Sequence, residues 1–140
     1  MDGYQDGGFE EIEHTADRAL HIHGRNLKEL LRVAAQGMNS LIITDVSGLS
    51  TRIKKYVEVE ALNTESLLVE WLSELAYWAE TQMLIFSKFD LQKVTATHVR
   101  ATLYGGHVQK LEKHIKAVTY HNLKVEKTDR GLEATVVFDV

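Results

Sequence analysis

The chain has 140 residues, a length typical of a single domain that can bury a full hydrophobic core. It contains no cysteine, which excludes disulfides, zinc–thiolate sites and thiol catalysis. The net charge of -4 argues against stand-alone nucleic-acid binding, and the polar start and short apolar runs predict a cytoplasmic protein without a membrane segment.

The first predicted elements are two strands and a helix. A short strand near residues 9–12 and a second strand that starts near Ala19 flank the polar stretch 13–17. The helix begins at Asn26, a favourable N-cap residue, and Glu29 follows at the spacing of a capping box. Apolar residues then recur at helical spacing and predict one buried stripe: Leu27, Leu30, Leu31, Ala34, Ala35 and Met38.

The strongest periodic pattern predicts a second helix after a strand at about residues 53–61. This helix begins at residue 63 or 64. Its predicted buried stripe consists of Leu67, Leu68, Trp71, Leu72, Leu75, Ala76 and Ala79. Glu70, Glu74 and Tyr77 share the outer face, which is either an ordinary solvated surface or an acidic strip that faces a metal or a partner.

The last third of the chain is predicted to consist of strands. One strand ends at Tyr104, and Gly105-Gly106 is predicted to form a two-residue hairpin turn after it. A strand at about 116–126 then leads to a last strand in which apolar and polar residues alternate up to Val140. Because strands do not alternate regularly with helices, the sequence predicts a single α+β domain with two helices packed on a largely antiparallel sheet.

Acidic residues near both ends of the sequence are candidates for a metal site. His14 and Asp17 are close enough to converge in the junction between the first two strands, although Asp17 could instead stabilise that turn and His14 could be a surface residue. Asp139 is followed by Val140, whose free carboxylate would add a second anion unless this tail is frayed and solvated. Such hard oxygen donors suit Ca²⁺, Mg²⁺ or Mn²⁺ rather than zinc.

The other polar residues give no catalytic signature. His21 and His23 share a strand face, as a metal-binding pair would, but most histidines are predicted to be surface residues. The sequence contains no HExxH motif, no phosphate-binding glycine loop and no nucleophile with an identifiable base. Lys116, at the start of a predicted strand, could act as an electrostatic partner for nearby acidic residues.

Four stretches, taken in order, resemble the archease family: residues 9–17 with His-Thr-Ala-Asp, the helical stretch 67–72, the strand 116–121 and the final residues 137–140. The resemblance implies a non-catalytic accessory protein, or chaperone, of the RtcB-type RNA ligase that promotes guanylylation and turnover in tRNA splicing and RNA repair. It also implies a divalent metal ion, Ca²⁺ with Mg²⁺ or Mn²⁺ as alternatives. The metal ligands matched by motif are Asp17, Asp139 and Val140, and the further pocket residues are His14, Glu70 and Lys116.

The resemblance also predicts a feature of the fold, because the two proposed metal ligands Asp17 and Asp139 lie at opposite ends of the sequence. The first junction must therefore lie beside the last strand. Arg18 follows Asp17 where family members often have an apolar or small residue, and its charge could weaken a nearby metal or pair with a carboxylate.

Residues 1–8 are polar and rich in glycine, and they are predicted to form a disordered leader before a domain that spans residues 9–140. Two alternative functions remain open from the sequence. The chain could be a small metal-dependent hydrolase or nuclease that uses the same carboxylates. It could also be a metal-free interaction module that presents the acidic face of the second helix.

Overall fold

A computed structural model describes residues 7–13 and 17–140 of the chain. Its elements, in chain order, are β1 (Gly8–Glu13), β2 (Arg18–Gly24), α1 (Leu27–Ile42), β3 (Ile53–Glu60), α2 (Thr64–Gln82), β4 (Leu84–Thr95), β5 (His98–His107), β6 (Ala117–Thr119), β7 (Glu126–Thr128) and β8 (Gly131–Asp139). Gly8, which the sequence analysis assigned to the leader, is the first residue of β1 and pairs with His23. Neither α1 nor α2 has the length and apolar content needed to cross a membrane.

The strands form two sheets, and each strand pair within the described residues is antiparallel. The first sheet has the order β1-β2-β8-β6, with β7 also paired to β8, and the second has the order β3-β5-β4. The predicted α+β class, with two helices and antiparallel strands, is confirmed. Because β2 pairs with β8, the beginning and the end of the described chain lie side by side.

The two helices contact each other and connect the sheets. α1 packs against β1, β2 and β4, while α2 packs against β3, β4 and β6. Trp71 of α2 is fully buried, and its indole N–H donates to the carbonyl of Leu31 in α1 at 2.9 Å. Asn39 of α1 is also buried and donates to the carbonyl of Phe86 at 2.7 Å, next to a β-bulge in β4. Hydrogen bonds of this kind satisfy the buried polar groups and fix the helices relative to each other.

Both helices begin at the predicted N-cap residues. The side-chain oxygen of Asn26 accepts from the N–H of Glu29 at 2.9 Å, and that of Asn63 accepts from the N–H of Ser66 at 2.8 Å. The predicted capping box of α1 is wrong in one respect. The carboxylate of Glu29 accepts from the backbone N–H of Arg25 at 2.9 Å rather than from that of Asn26. The seven apolar residues predicted for the stripe of α2 are all buried.

Glu29 is a buried carboxylate held between two arginines. Its side chain is 5% exposed, and its oxygens lie 2.6 Å from the guanidinium of Arg25 and 3.3 Å from that of Arg32. The side-chain hydrogen bond from Arg25 is the main cause that lowers the pKa of Glu29 below its ordinary value of 4.5. The ionised form of Glu29 therefore stabilises the start of α1.

We expect Glu29→Gln to lower the free energy of unfolding at neutral pH by about 1–3 kcal/mol, because a charge-assisted hydrogen-bond network is lost. A carboxyl group with a lowered folded-state pKa stabilises the protein above the unfolded value. That contribution disappears as the pH falls below 4.5 and through the folded-state pKa. Urea unfolding of the wild type and of Glu29→Gln should therefore show a stability difference that shrinks with acidification. Glu126→Gln, at an exposed carboxylate, is the control, and a pH-independent difference at Glu29 would contradict the assignment.

The predicted hairpin turn at Gly105-Gly106 is wrong, because both glycines lie inside β5. The hairpin between β4 and β5 turns instead at residues 96–97. A side chain cannot be accommodated at the glycine positions. A Cβ atom on Gly105 would overlap the backbone carbonyl of Ile85, and one on Gly106 would lie 2.8 Å from the carbonyl oxygen of Ser50. These glycines therefore permit close approach of the neighbouring backbone rather than a turn.

The single strand predicted at residues 116–126 is also wrong, because this segment contains the short strand β6 and only the beginning of β7. Asn122 has a φ of 49°, a left-handed conformation that a continuous strand cannot contain. The segment between the two strands is fastened to α2. A carboxylate oxygen of Glu65, in the first turn of that helix, accepts from the N–H of Val125 at 2.8 Å.

Candidate functional site

The antiparallel pairing of β2 with β8 joins the two sequence regions that carry the candidate aspartates. Arg18, the first residue of β2, pairs with Phe138 of β8. Asp17 immediately precedes Arg18 and Asp139 immediately follows Phe138, so each aspartate is next to the last pair of this register. The backbone therefore provides the closure of the two chain ends that the family resemblance requires.

Lys116 belongs to the same end of the first sheet. Its backbone N–H donates to the carbonyl of Asp139 at 2.7 Å, and the next residue, Ala117, pairs with Asp139 in β6. Lys116 also lines a cavity of about 250 Å³ between α2 and residues 115–118, together with Tyr77 and Glu80 of the helix. The end of the sheet therefore combines acidic positions with a lysine and an adjacent cavity.

The other predicted site residues have different placements. Glu70 is exposed on α2. It precedes Ser73 and Tyr77 of the cavity wall by three and seven residues, so it lies on the same helical face as these two residues. The side chain of Val140 is partly buried against the core, which leaves its main-chain oxygens as its only potential ligand atoms. His14 lies outside the described residues, and its predicted role stays a prediction.

Arg18 forms a salt bridge with a carboxylate. Its Nε atom lies 3.2 Å from a carboxylate oxygen of Glu11 on the adjacent strand β1. Both side chains are about half exposed, so this pair contributes little to stability. The sequence analysis considered two effects of Arg18, a weakened metal site or an ion pair with a carboxylate. The ion pair is observed, and Glu11 is the partner.

The histidines of β2 lie on one face of the first sheet. The rings of His21 and His23 have centroids 6.4 Å apart, and they line a cavity together with Phe9, Glu10 and Arg130. The Nε2 atom of His21 lies 4.0 Å from a carboxylate oxygen of Glu133. The shared face is thus as predicted, whereas metal binding by these two histidines stays a prediction.

One cluster was not singled out from the sequence. Glu58, Glu60 and His98 have potential ligand atoms that all lie within 4.8 Å of one another, and they are the only metal-ligating trio among residues 7–13 and 17–140. The sequence does show that Glu58 and Glu60 lie two residues apart on the predicted strand at 53–61, and therefore on one face of it. Their partner His98 could not be found from the sequence, because the pairing of β3 with β5 joins positions about 40 residues apart.

Comparison with known proteins identifies the family. The Archease protein family (MTH1598/TM1083) matches the chain over residues 9–140. The chain belongs to the archease family. The matched range contains both helices, both candidate aspartates and the strand pair that connects them, so the archease resemblance of the four sequence stretches extends over the whole fold.

Several archeases are similar to this chain over nearly their whole length. Protein archease of Methanosarcina acetivorans is 36% identical over 140 residues, which cover 94% of this chain and 95% of the relative. Protein archease of Archaeoglobus fulgidus is 35% identical over 133 residues, which cover 92% and 96%. The alignments therefore cover almost the whole of this chain and of each relative.

Two solved structures share the fold. The solution structure of protein 1598 from Methanobacterium thermoautotrophicum matches with a TM-score of 0.80 at 29% identity and covers 95% of this chain and 99% of that one. The crystal structure of an archease from Thermotoga maritima, described as a possible chaperone, matches with a TM-score of 0.67 at 28% identity and covers 94% and 96%. The two-helix, two-sheet architecture is therefore that of an archease.

Proposed function

We propose that this archease is an accessory protein of an RtcB-type RNA ligase, and that it promotes guanylylation and turnover of the ligase in tRNA splicing and RNA repair. The observation that carries the proposal is the β2–β8 register, which pairs Arg18 with Phe138 and so brings together the strand ends next to Asp17 and Asp139. Family membership and the description of the Thermotoga relative as a possible chaperone support an accessory role in general. The proposal adds two specific points to this general role: the partner is an RtcB-type ligase, and the acidic site binds a divalent metal ion.

The donor atoms at this strand end fit a hard divalent cation. Asp17, just before β2, and Asp139, at the end of β8, offer carboxylate oxygens, and Val140 offers main-chain oxygens next to Asp139. Ca²⁺, which takes six to eight oxygen ligands of mixed type, suits this set best, and Mg²⁺ or Mn²⁺ are the alternatives. A bound dication would neutralise these carboxylates and so remove the negative charge that would repel an anionic group of the partner.

Lys116 supplies a further positive charge at this end of the sheet. Its backbone is fastened to Asp139, so its side chain starts next to the proposed ligands and reaches the adjacent cavity. We assign it the role of an electrostatic contact to the ligase or to a phosphate group held by the ligase. Glu70 and His14 are proposed as further pocket residues, in accordance with their motifs.

The accessory effect requires that this archease binds one state of the ligase more tightly than another. A protein that binds all states equally cannot shift the ligase toward the state that accepts the guanylyl group. The metal-bound end of the first sheet is the proposed contact. The net charge of -4 is consistent with the ligase, rather than this chain, holding the RNA.

Guanylylation of an RtcB-type ligase with GTP tests this proposal. Asp17→Asn and Asp139→Asn keep the side-chain size but remove a charged ligand, so we expect each to reduce the stimulation by about tenfold or more and to weaken calorimetric Ca²⁺ or Mn²⁺ binding in parallel. Asp90→Asn, at an exposed position on β4, is the matched control and should stimulate like the wild type.

Full stimulation by both site variants would contradict the assigned site. Hydrolysis of RNA or nucleotide by the purified protein alone would indicate a metal-dependent hydrolase instead. Normal stimulation of the ligase without any divalent-metal binding would indicate a metal-free interaction module.

A further inference from the structure

We propose that Glu58, Glu60 and His98 form a second metal site, which selects a transition-metal dication of the Zn²⁺ type. This site lies in the second sheet, whereas the proposed archease site lies at the end of the first sheet. It involves none of the residues assigned to ligase activation. The two sites can therefore be tested independently.

The register of the second sheet brings the three side chains together. Glu58 and Glu60 are two residues apart on the edge strand β3, so they point to the same face. His98 is the first residue of β5 and is directly opposite Glu60. All three ligands therefore project from a hydrogen-bonded strand pair rather than from a loop, which limits the rearrangement needed to bind an ion.

The distances suit a small ion after minor side-chain rotation. The Nε2 atom of His98 lies 2.5 Å from a carboxylate oxygen of Glu58 and 3.8 Å from one of Glu60. Ligand atoms around a tetrahedral zinc ion are roughly 3 to 3.5 Å apart, since each lies about 2 Å from the metal. Glu58 would move slightly away from the imidazole and Glu60 would move closer. Glu60 is free to do so, because its side chain is 77% exposed.

The chemistry of the ligand set decides which ion it favours. An imidazole nitrogen is a poor ligand for Ca²⁺ and Mg²⁺ but a good one for Zn²⁺ and its neighbours, and the two carboxylates supply the negative charge. The imidazole is the least exposed of the three side chains, at 17%, and its Nε2 atom faces a carboxylate oxygen of Glu58 at 2.5 Å. Arg100 is opposite Glu58 in the strand register, so its positive charge will reduce the affinity without occupying the position opposite Glu60.

Calorimetric titration of the full chain with Zn²⁺ tests the proposal. We expect one Zn²⁺ site in the wild type, and we expect His98→Ala and Glu60→Gln each to weaken it by about tenfold or more. Asp139→Asn should leave this site unchanged. His107→Ala is the matched control, because it removes an exposed histidine at the other end of β5. Bound Zn²⁺ should also raise the melting temperature of the wild type more than that of Glu60→Gln.

Zn²⁺ affinity that is unchanged in both His98→Ala and Glu60→Gln would overturn the proposal and leave the trio as an ion pair only. Loss of the binding in His21→Ala, with His98→Ala unaffected, would also overturn it by assigning the ion to the β2 histidines. Metal-free melting curves of the variants establish that each is folded. Failure of the ligase test has no bearing on this result, since the carboxylates of Asp17 and Asp139 are not involved.

Discussion

Trp71→Ala is expected to lower the free energy of unfolding by about 3–5 kcal/mol. The side chain of Trp71 is fully buried, it packs edge-on against Phe89 of β4 at 6.4 Å between ring centroids, and it donates to the carbonyl of Leu31. The substitution therefore leaves a large cavity at the place where α1, α2 and the second sheet meet. Chemical denaturation at neutral pH measures the effect.

Tyr77→Ala is the control for this prediction, because it removes an aromatic ring from the same helix at a position that is 57% exposed. Its expected cost is below about 1.5 kcal/mol, the upper range for its contact with the ring of Trp78. Equal destabilisation by the two substitutions would show that loss of an aromatic side chain from α2, rather than loss of core packing, determines the effect.

Gly105→Ala is expected to destabilise the protein by about 3 kcal/mol or more, because the added methyl group has no space. Its Cβ atom would overlap the backbone carbonyl of Ile85 in the paired strand β4, and backbone cannot rotate away as a flexible side chain can. The methyl group must therefore push the two strands apart and weaken the ladder on which the second sheet depends. Thermal and denaturant unfolding measure this effect.

Gly48→Ala is the matched control, since a Cβ atom at that position meets nothing within 4 Å. It is expected to change the free energy of unfolding by less than about 1 kcal/mol, in either direction. If Gly105→Ala were equally mild, the close approach of β5 to β4 would have to relax readily. Close backbone approach would then not be the reason for a glycine inside β5.

The position of the proposed ligase-activating site has a structural consequence. The strand pair β2–β8 is part of the first sheet, which packs on α1, whereas the proposed zinc-type site is on the second sheet. Substitutions of exposed residues at either site, such as Glu60, leave the shared core intact. Functional loss at one site can therefore be separated from loss of folding, with Trp71→Ala as the example of a pure stability defect.

The sequence by itself determined the helices and the family. Helix starts depend on an N-cap residue and on apolar spacing within a few turns, so Asn26, Asn63 and the two apolar stripes were readable without the fold, although Leu27 is only partly buried. The motif order was also sufficient to indicate the archease resemblance. Because these features depend on neighbours in the sequence, tertiary contacts did not alter them.

Only the tertiary structure decided the strand pairing and the clusters that depend on it. β4 was not predicted, because its register shifts between Phe86 and Lys88 and between Leu91 and Lys93 interrupt the alternation of buried and exposed residues. The pairing of Arg18 with Phe138, next to the two aspartates, and the meeting of His98 with Glu60 likewise depend on which strands are neighbours. Strand pairing depends on contacts between residues that are far apart in the sequence and on packing of the whole core. A local sequence pattern therefore cannot predict it.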